Sequence, residues 1–197
     1  MYLITCGSSW DNGDFSWVNS SSDIKSFSDA NKIGPFLEND FNDKTSARIL
    51  FRKKFKAKSY TNLSFGGSSN ETQINLLKDL LNKTSYRSDH IILFGLKPLE
   101  YVSQIDKILS LNIKNMFIYN STETQLIDNS LFNSIDLLSL MSKDYSLGVR
   151  EGNEIWARKV LKAEKRGLVS SITQHPTQEG NEFISNLIFN EIKSRFI

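Results

Sequence analysis

Residues 2–9 read Tyr2-Leu3-Ile4-Thr5-Cys6-Gly7-Ser8-Ser9. The first five are apolar, aromatic or β-branched, without the polar–apolar alternation of a half-exposed strand. Such a run suits a strand buried on both faces of a parallel sheet. Gly7 ends it, and two hydroxyl residues follow. The same organisation recurs along the chain. Ser59–Phe65, His90–Phe94 and Asn115–Tyr119 are further candidate strands, each giving way to polar residues or glycine. Leu137–Leu140 and Leu168–Ser171 are weaker candidates.

Helical patterns lie between the strands. After Ser69-Asn70, either of which suits an N-cap, Ile74, Leu77, Leu80 and Leu81 share one face at three- and four-residue spacing. Leu99, Val102, Ile105 and Ile108-Leu109 repeat the pattern, and Phe183, Ile184, Leu187, Ile188 and Ile192 form a stripe near the C-terminus. Ala47 to Phe55 reads as a helix leading into the second strand. Its Arg48, Arg52, Lys53 and Lys54 read as a solvated helix face rather than a binding patch, because net charge is only +2. Alternation of this kind predicts an α/β fold with three layers, α/β/α, around a central, mostly parallel, flavodoxin-like sheet. A single domain over residues 1–197 fits the length.

In such sheets ligands sit beyond the carboxyl ends of the strands. The residues to inspect are therefore Gly7-Ser8-Ser9, Gly66-Gly67-Ser68-Ser69-Asn70, Gly95-Leu96-Lys97 and Asn120-Ser121. The polar region from Asp11 to Asp43 reads as a long loop over the same edge. Composition excludes several classes. A charge of +2 gives no footing for nucleic acid or an anionic membrane surface. The single cysteine, Cys6, permits no internal disulfide and suits a reducing, cytoplasmic compartment. One cysteine and two histidines do not make a zinc site of the usual kind, so no metal or other cofactor is expected. No segment reads as a signal peptide or a membrane span.

A serine at the turn after the first strand stands at the mouth of the crevice. Its hydroxyl is a poor nucleophile until a base takes its proton, so Ser9 needs a histidine from elsewhere. His175 lies in Thr173-Gln174-His175-Pro176-Thr177-Gln178-Glu179-Gly180, ahead of the last helix, and the following proline keeps it out of helical backbone. His90, at the start of a buried strand, reads as packing. Paired glycines at Gly66-Gly67 let backbone N–H groups approach a ligand, where they can stabilise an oxyanion.

Together these blocks resemble the SGNH (GDSL-like) hydrolase family. Gly7-Ser8-Ser9 resembles its first block, with Ser9 in the nucleophile position. Gly67 resembles the glycine of its second block, whose N–H helps form the oxyanion hole. His175 resembles the base of its last block, where a His-Pro pair precedes a final helix. The likeness runs through the whole chain. It is closest to short hydrolase-like proteins of tailed bacteriophages, which share the Gly-x-Ser-Asn turn and the His-Pro-x-x-x-Gly ending.

Three positions depart from the family pattern. Ser8 stands where the first block has aspartate. Gly95-Leu96-Lys97-Pro98 lacks the asparagine expected after the third strand, leaving Lys97 or Asn70 as substitute donors. Ile172 and Thr173 occupy the places of the aspartate that supports the histidine, so a backbone carbonyl would have to hold the ring. Glu179 is near in sequence but belongs to the next helix.

Two readings of function follow. The resemblance implies a serine esterase acting through Ser9 and His175 on a small acyl ester, such as an acetyl group on carbohydrate. The departures favour a non-catalytic protein of the same fold, a binding or structural part that forms a homo-oligomer or belongs to a virus particle. A flavodoxin-like nucleotide binder ranks below both, for want of a Gly-rich phosphate motif.

Overall fold

The computed structural model describes residues 2–7, 47–84, 90–96, 104–111, 113, 115–120, 137–146 and 154–196. Four strands form one sheet: β1 (Tyr2–Cys6), β2 (Ser59–Asn62), β3 (His90–Leu96) and β4 (Met116–Asn120). Their order is β2-β1-β3-β4, and every neighbouring pair is parallel. Helices α1 (Ala47–Lys54), α2 (Asn70–Lys83), α3 (Ile105–Leu109), α4 (Leu137–Ser142), α5 (Glu154–Lys165) and α6 (Gln178–Phe196) surround it.

β1, β3 and β4 are largely apolar because both faces of the sheet are covered there, whereas the edge strand β2, Ser59-Tyr60-Thr61-Asn62, is polar and partly exposed. Side chains alternate across a strand, and the core divides accordingly. Leu3, Ile91, Leu93, Phe117 and Tyr119 pack on one side with Phe51 of α1 and Phe55 just after it, with α4 and α5, and with Ile184, Ile188 and Ile192 of α6. Ile4, Cys6, Ile92, Phe94, Leu96 and Ile118 pack on the other with Ile74 and Leu77 of α2 and Ile108 of α3. The result is the three-layer α/β/α arrangement that the alternation of elements predicts.

Strand order fixes where a ligand can sit. The chain leaves β1 for β2 on one side, then returns to β3 on the other. Such a reversal opens a crevice at the carboxyl end of the sheet, between β1 and β3. Register pairs Cys6 with Phe94 there, so Gly7 leaves β1 at the lip of that crevice.

Several expectations need correction. β2 stops at Asn62 rather than Phe65, because the Asn62 amide captures the backbone just ahead of it. Its Oδ1 accepts the Ser64 N–H at 3.1 Å and its Nδ2 donates to the Ser64 carbonyl at 3.1 Å, a local turn that competes with ladder pairing. β3 runs on to Leu96, since Gly95 and Leu96 still pair with Tyr119 and Asn120. Leu137–Leu140 is helix, not strand. A four-residue run with three leucines cannot separate the two, but Leu137, Leu138 and Met141 are buried at helical spacing, and α4 packs on α5 and α6. Leu168–Ser171 makes only an isolated antiparallel bridge between Val169 and Pro176.

The helix α5 has no counterpart in the sequence pattern. Its buried face holds Lys159, Val160 and Ala163, and the charged residue in that stripe hides the period. Lys159 is fully buried, with its ammonium donating to Ser139 Oγ at 2.6 Å. The remaining helical expectations match in kind. Leu99 and Val102 lie outside the described residues. Arg52 and Lys53 are exposed, as a solvated face requires. His90 stacks on Tyr2 with ring centroids 4.9 Å apart, a packing role.

Candidate functional site at the carboxyl edge of the sheet

Gly7 is the last described residue before Ser8 and Ser9, and the second block holds it at both backbone groups. Its N–H donates to Gln73 Oε1 at 3.1 Å. Its carbonyl accepts from Ser68 Oγ at 2.8 Å. The turn that supplies these groups is built locally. Gly67 takes a left-handed backbone, φ +75°, which glycine adopts without strain. That geometry brings the chain into α2, whose N-cap is Ser69. Its Oγ accepts the Thr72 N–H at 3.1 Å. Gly67 itself is exposed, and a Cβ placed there would meet nothing within 4 Å. Asn70 begins the helix and is buried.

The loop before α6 positions His175. Val169 bridges Pro176, the Ser170 N–H donates to the His175 carbonyl at 2.9 Å, and the Thr177 N–H donates to the Leu168 carbonyl at 3.1 Å. Gln174, at φ +57°, turns the chain back just before the histidine. The loop is tied to the helix behind it. Thr177 Oγ1 accepts the Gly180 N–H at 3.0 Å and donates to the Gly167 carbonyl at 2.6 Å. Gly180 has to be glycine here, because a Cβ would lie 2.0 Å from the Leu168 carbonyl oxygen.

The imidazole of His175 is half-buried, and its Nδ1 lies 2.7 Å from the Thr173 carbonyl oxygen. A carbonyl can only accept, so Nδ1 carries the proton and Nε2 carries the basic lone pair. Burial pulls the ring's pKa below the ordinary 6.5, while the bond to Thr173 pulls it up. Burial is the larger influence, so the ring is neutral at pH 7 and chemically able to accept a proton. Glu179 does not support it: its carboxylate lies by Gly167, 3.2 Å from where a Cβ would sit.

The structure therefore gathers Gly67 and Asn70 at the Gly7 end of β1, and sets His175 on a separate, braced loop. Ser9 and Lys97 lie outside the described residues. Sequence reasoning included Ser68 in the second block without giving it a role and passed over Gln73; these two make the contacts to Gly7. The signal for Gln73 was present: with Asn70, it places a polar residue on the same helix face as Ile74 and Leu77. No group of three or more His, Cys, Asp or Glu side chains that could hold a metal ion occurs among the described residues. No helix among them is long and apolar enough to cross a membrane.

Comparison of the sequence with protein-family models and with curated proteins finds no match. Comparison of the structure does. The crystal structure of TesA superposes with a TM-score of 0.52 at 9% sequence identity, over 98% of this chain and 99% of that one. At that identity the likeness speaks to fold alone. The chain has an α/β/α fold around a flavodoxin-like parallel sheet, and TesA shares that fold.

Proposed function

We propose that the chain, acting as one domain over residues 1–197, is a serine hydrolase that cleaves a small acyl ester through a Ser9–His175 dyad. The observation that carries this reading is the hydrogen bond from His175 Nδ1 to the Thr173 carbonyl. It selects the tautomer a general base needs, by means of the backbone where the family uses aspartate. The fold shared with TesA adds support, and the crevice that the strand order opens at the carboxyl ends of β1 and β3 is where Gly7 leads into Ser9.

In the reaction, Ser9 Oγ attacks the ester carbonyl as Nε2 of His175 takes its proton. The N–H groups of Ser9 and Gly67, with Asn70 and Lys97 as further donors, stabilise the oxyanion. The C–O bond to the alcohol then breaks, and the leaving oxygen takes the proton from His175. Water repeats the cycle on the acyl-enzyme and releases the acid. Acetyl groups on carbohydrate are the substrate class that the family likeness favours. The single cysteine, Cys6, is buried and suits a reducing, cytoplasmic setting.

Wild type and Ser9→Ala should be compared on a chromogenic acetyl ester. The expected loss on substitution is about a thousandfold or more. The second reading is a non-catalytic binding or virion protein of the same fold, and it is favoured by Nδ1 of His175 meeting a backbone carbonyl where the family has a carboxylate. Equal rates for the two proteins would remove Ser9 from the mechanism and with it the first reading.

A further inference from the structure

Gln73 occupies the buried face of α2 and is 1% exposed. Burying a primary amide is unfavourable unless both its ends are bonded, and here both are. Oε1 accepts the Gly7 N–H at 3.1 Å, and Nε2 donates to the Leu63 carbonyl at 3.0 Å. Together the two bonds fix the amide's orientation, since a flip would set donor against donor and acceptor against acceptor. The Leu63 N–H in turn donates to the Thr5 carbonyl at 2.8 Å. Gln73 thus joins the chain leaving β1 to the chain leaving β2. Ser68 makes a second tie, its hydroxyl reaching the carbonyls of Gly7 at 2.8 Å and Phe65 at 2.9 Å. An apolar side chain would fill the Gln73 site equally well if packing were its only role.

We infer that Gln73 and Ser68 are positioning residues: they hold Gly7, two residues ahead of the Ser9 nucleophile, beside the segment that carries Gly67. The inference rests on the hydrolase reading of Ser9. Attack requires the serine oxygen and the oxyanion donors to converge on one carbonyl. A misplacement of about 1 Å can cost on the order of a hundredfold in rate. In this role Gln73 touches no part of the ester, so its loss changes kcat and leaves KM nearly as it was.

The test uses the full chain, a fluorophosphonate probe that reacts with activated serines, and a chromogenic acetyl ester. Gln73→Met keeps length and volume and removes both bonds. Gln73→Glu keeps the acceptor for Gly7, and once protonated it also regains a donor for Leu63. Burial raises the pH at which such a carboxyl protonates. Wild type is expected to be labelled at Ser9. Gln73→Met should lose about ten- to a hundredfold in both kcat and labelling rate, with KM within about twofold of wild type. The ratio of Gln73→Glu to wild-type kcat, taken at each pH so that His175 titration cancels, should climb towards one as pH falls.

Labelling of wild-type Ser9 together with wild-type kcat in Gln73→Met overturns the inference and leaves the hydrolase reading standing. So does a loss that lies wholly in KM. If Gln73→Met does not fold, a Gln73→Glu ratio that is flat with pH overturns it. Absence of label on wild-type Ser9 overturns the hydrolase reading, and the inference with it.

Discussion

His175 and Thr173 are two residues apart, yet their substitutions should differ sharply. In the proposed dyad the base is the imidazole, while the group bonded to its Nδ1 is a backbone carbonyl. His175→Ala should lower kcat by about a hundred- to ten-thousandfold. Thr173→Ala keeps the carbonyl and loses only a 3.4 Å contact from the His175 N–H to Oγ1. It should stay within about fivefold of wild type in steady-state assays. Comparable losses in both would mean that the side chain, not the backbone, holds the ring. The pH profile carries the same logic. Imidazolium cannot accept the serine proton, so kcat/KM rises with pH as the ring deprotonates. Burial holds its pKa below 6.5, so the rise should be centred below pH 6.5 and level off above it. A midpoint above that value would contradict the burial of the ring. At this scale the sequence singled out Ser9, Gly67 and His175 as candidates from the Gly-Ser-Ser, Gly-Gly and His-Pro patterns; the structure describes Gly67 and His175, and Ser9 lies outside the described residues. Ser68 and Gln73 were not legible in the same way, since their partners lie 61 and 66 residues away.

The elements that carry the site depend on contacts between segments. Gly180 lets the first turn of α6 touch the Leu168 carbonyl, and Thr177 ties that turn to Gly167. Gly180→Ala would push a methyl group into backbone and should cost about 1–3 kcal/mol of stability, read as a lower urea midpoint. Activity should fall as well, because the displaced loop carries His175. An unchanged midpoint would mean that the helix and loop separate freely. Most element types were legible because their apolar periods were clean, as in α2 and α6. Failures came where one residue masked a period or a run was too short. Lys159 put a charge in the buried stripe of α5, and α4 offered a four-residue run with three leucines that fits strand or helix equally.

Across the whole molecule, the three-layer fold followed from alternation of elements, whereas strand order is set by long-range pairing that no local pattern encodes. The turn after α4 is fixed to α5 by Asp144. This buried carboxylate accepts Lys162 Nζ at 2.8 Å and Arg158 Nε at 2.9 Å on one oxygen, and the Ser146 N–H and hydroxyl on the other. Bonds from Lys162 and then Ser146 hold it well below the ordinary carboxylate pKa of 3.8. The unfolded chain therefore binds the extra proton first, so this contribution is complete above about pH 4 and is lost as pH falls below that. Asp144→Ala should cost about 1–3 kcal/mol at pH 7; the figure is modest because Arg158 and Lys162 are about half exposed. The difference from wild type should shrink in acid unfolding curves, and a constant difference would remove Asp144 from the acid response.

The claim that Ser9 is a nucleophile served by His175 is tested most directly by trapping its covalent intermediate. Wild type, Ser9→Ala and His175→Ala can be mixed with a chromogenic acetyl ester, quenched in acid within the first turnover, digested and analysed by mass spectrometry. The expected result is an acetyl group on Ser9 in wild type and none on that peptide in either variant. No acetylated peptide in wild type, or one whose acetyl group sits elsewhere and persists in Ser9→Ala, would contradict the assignment.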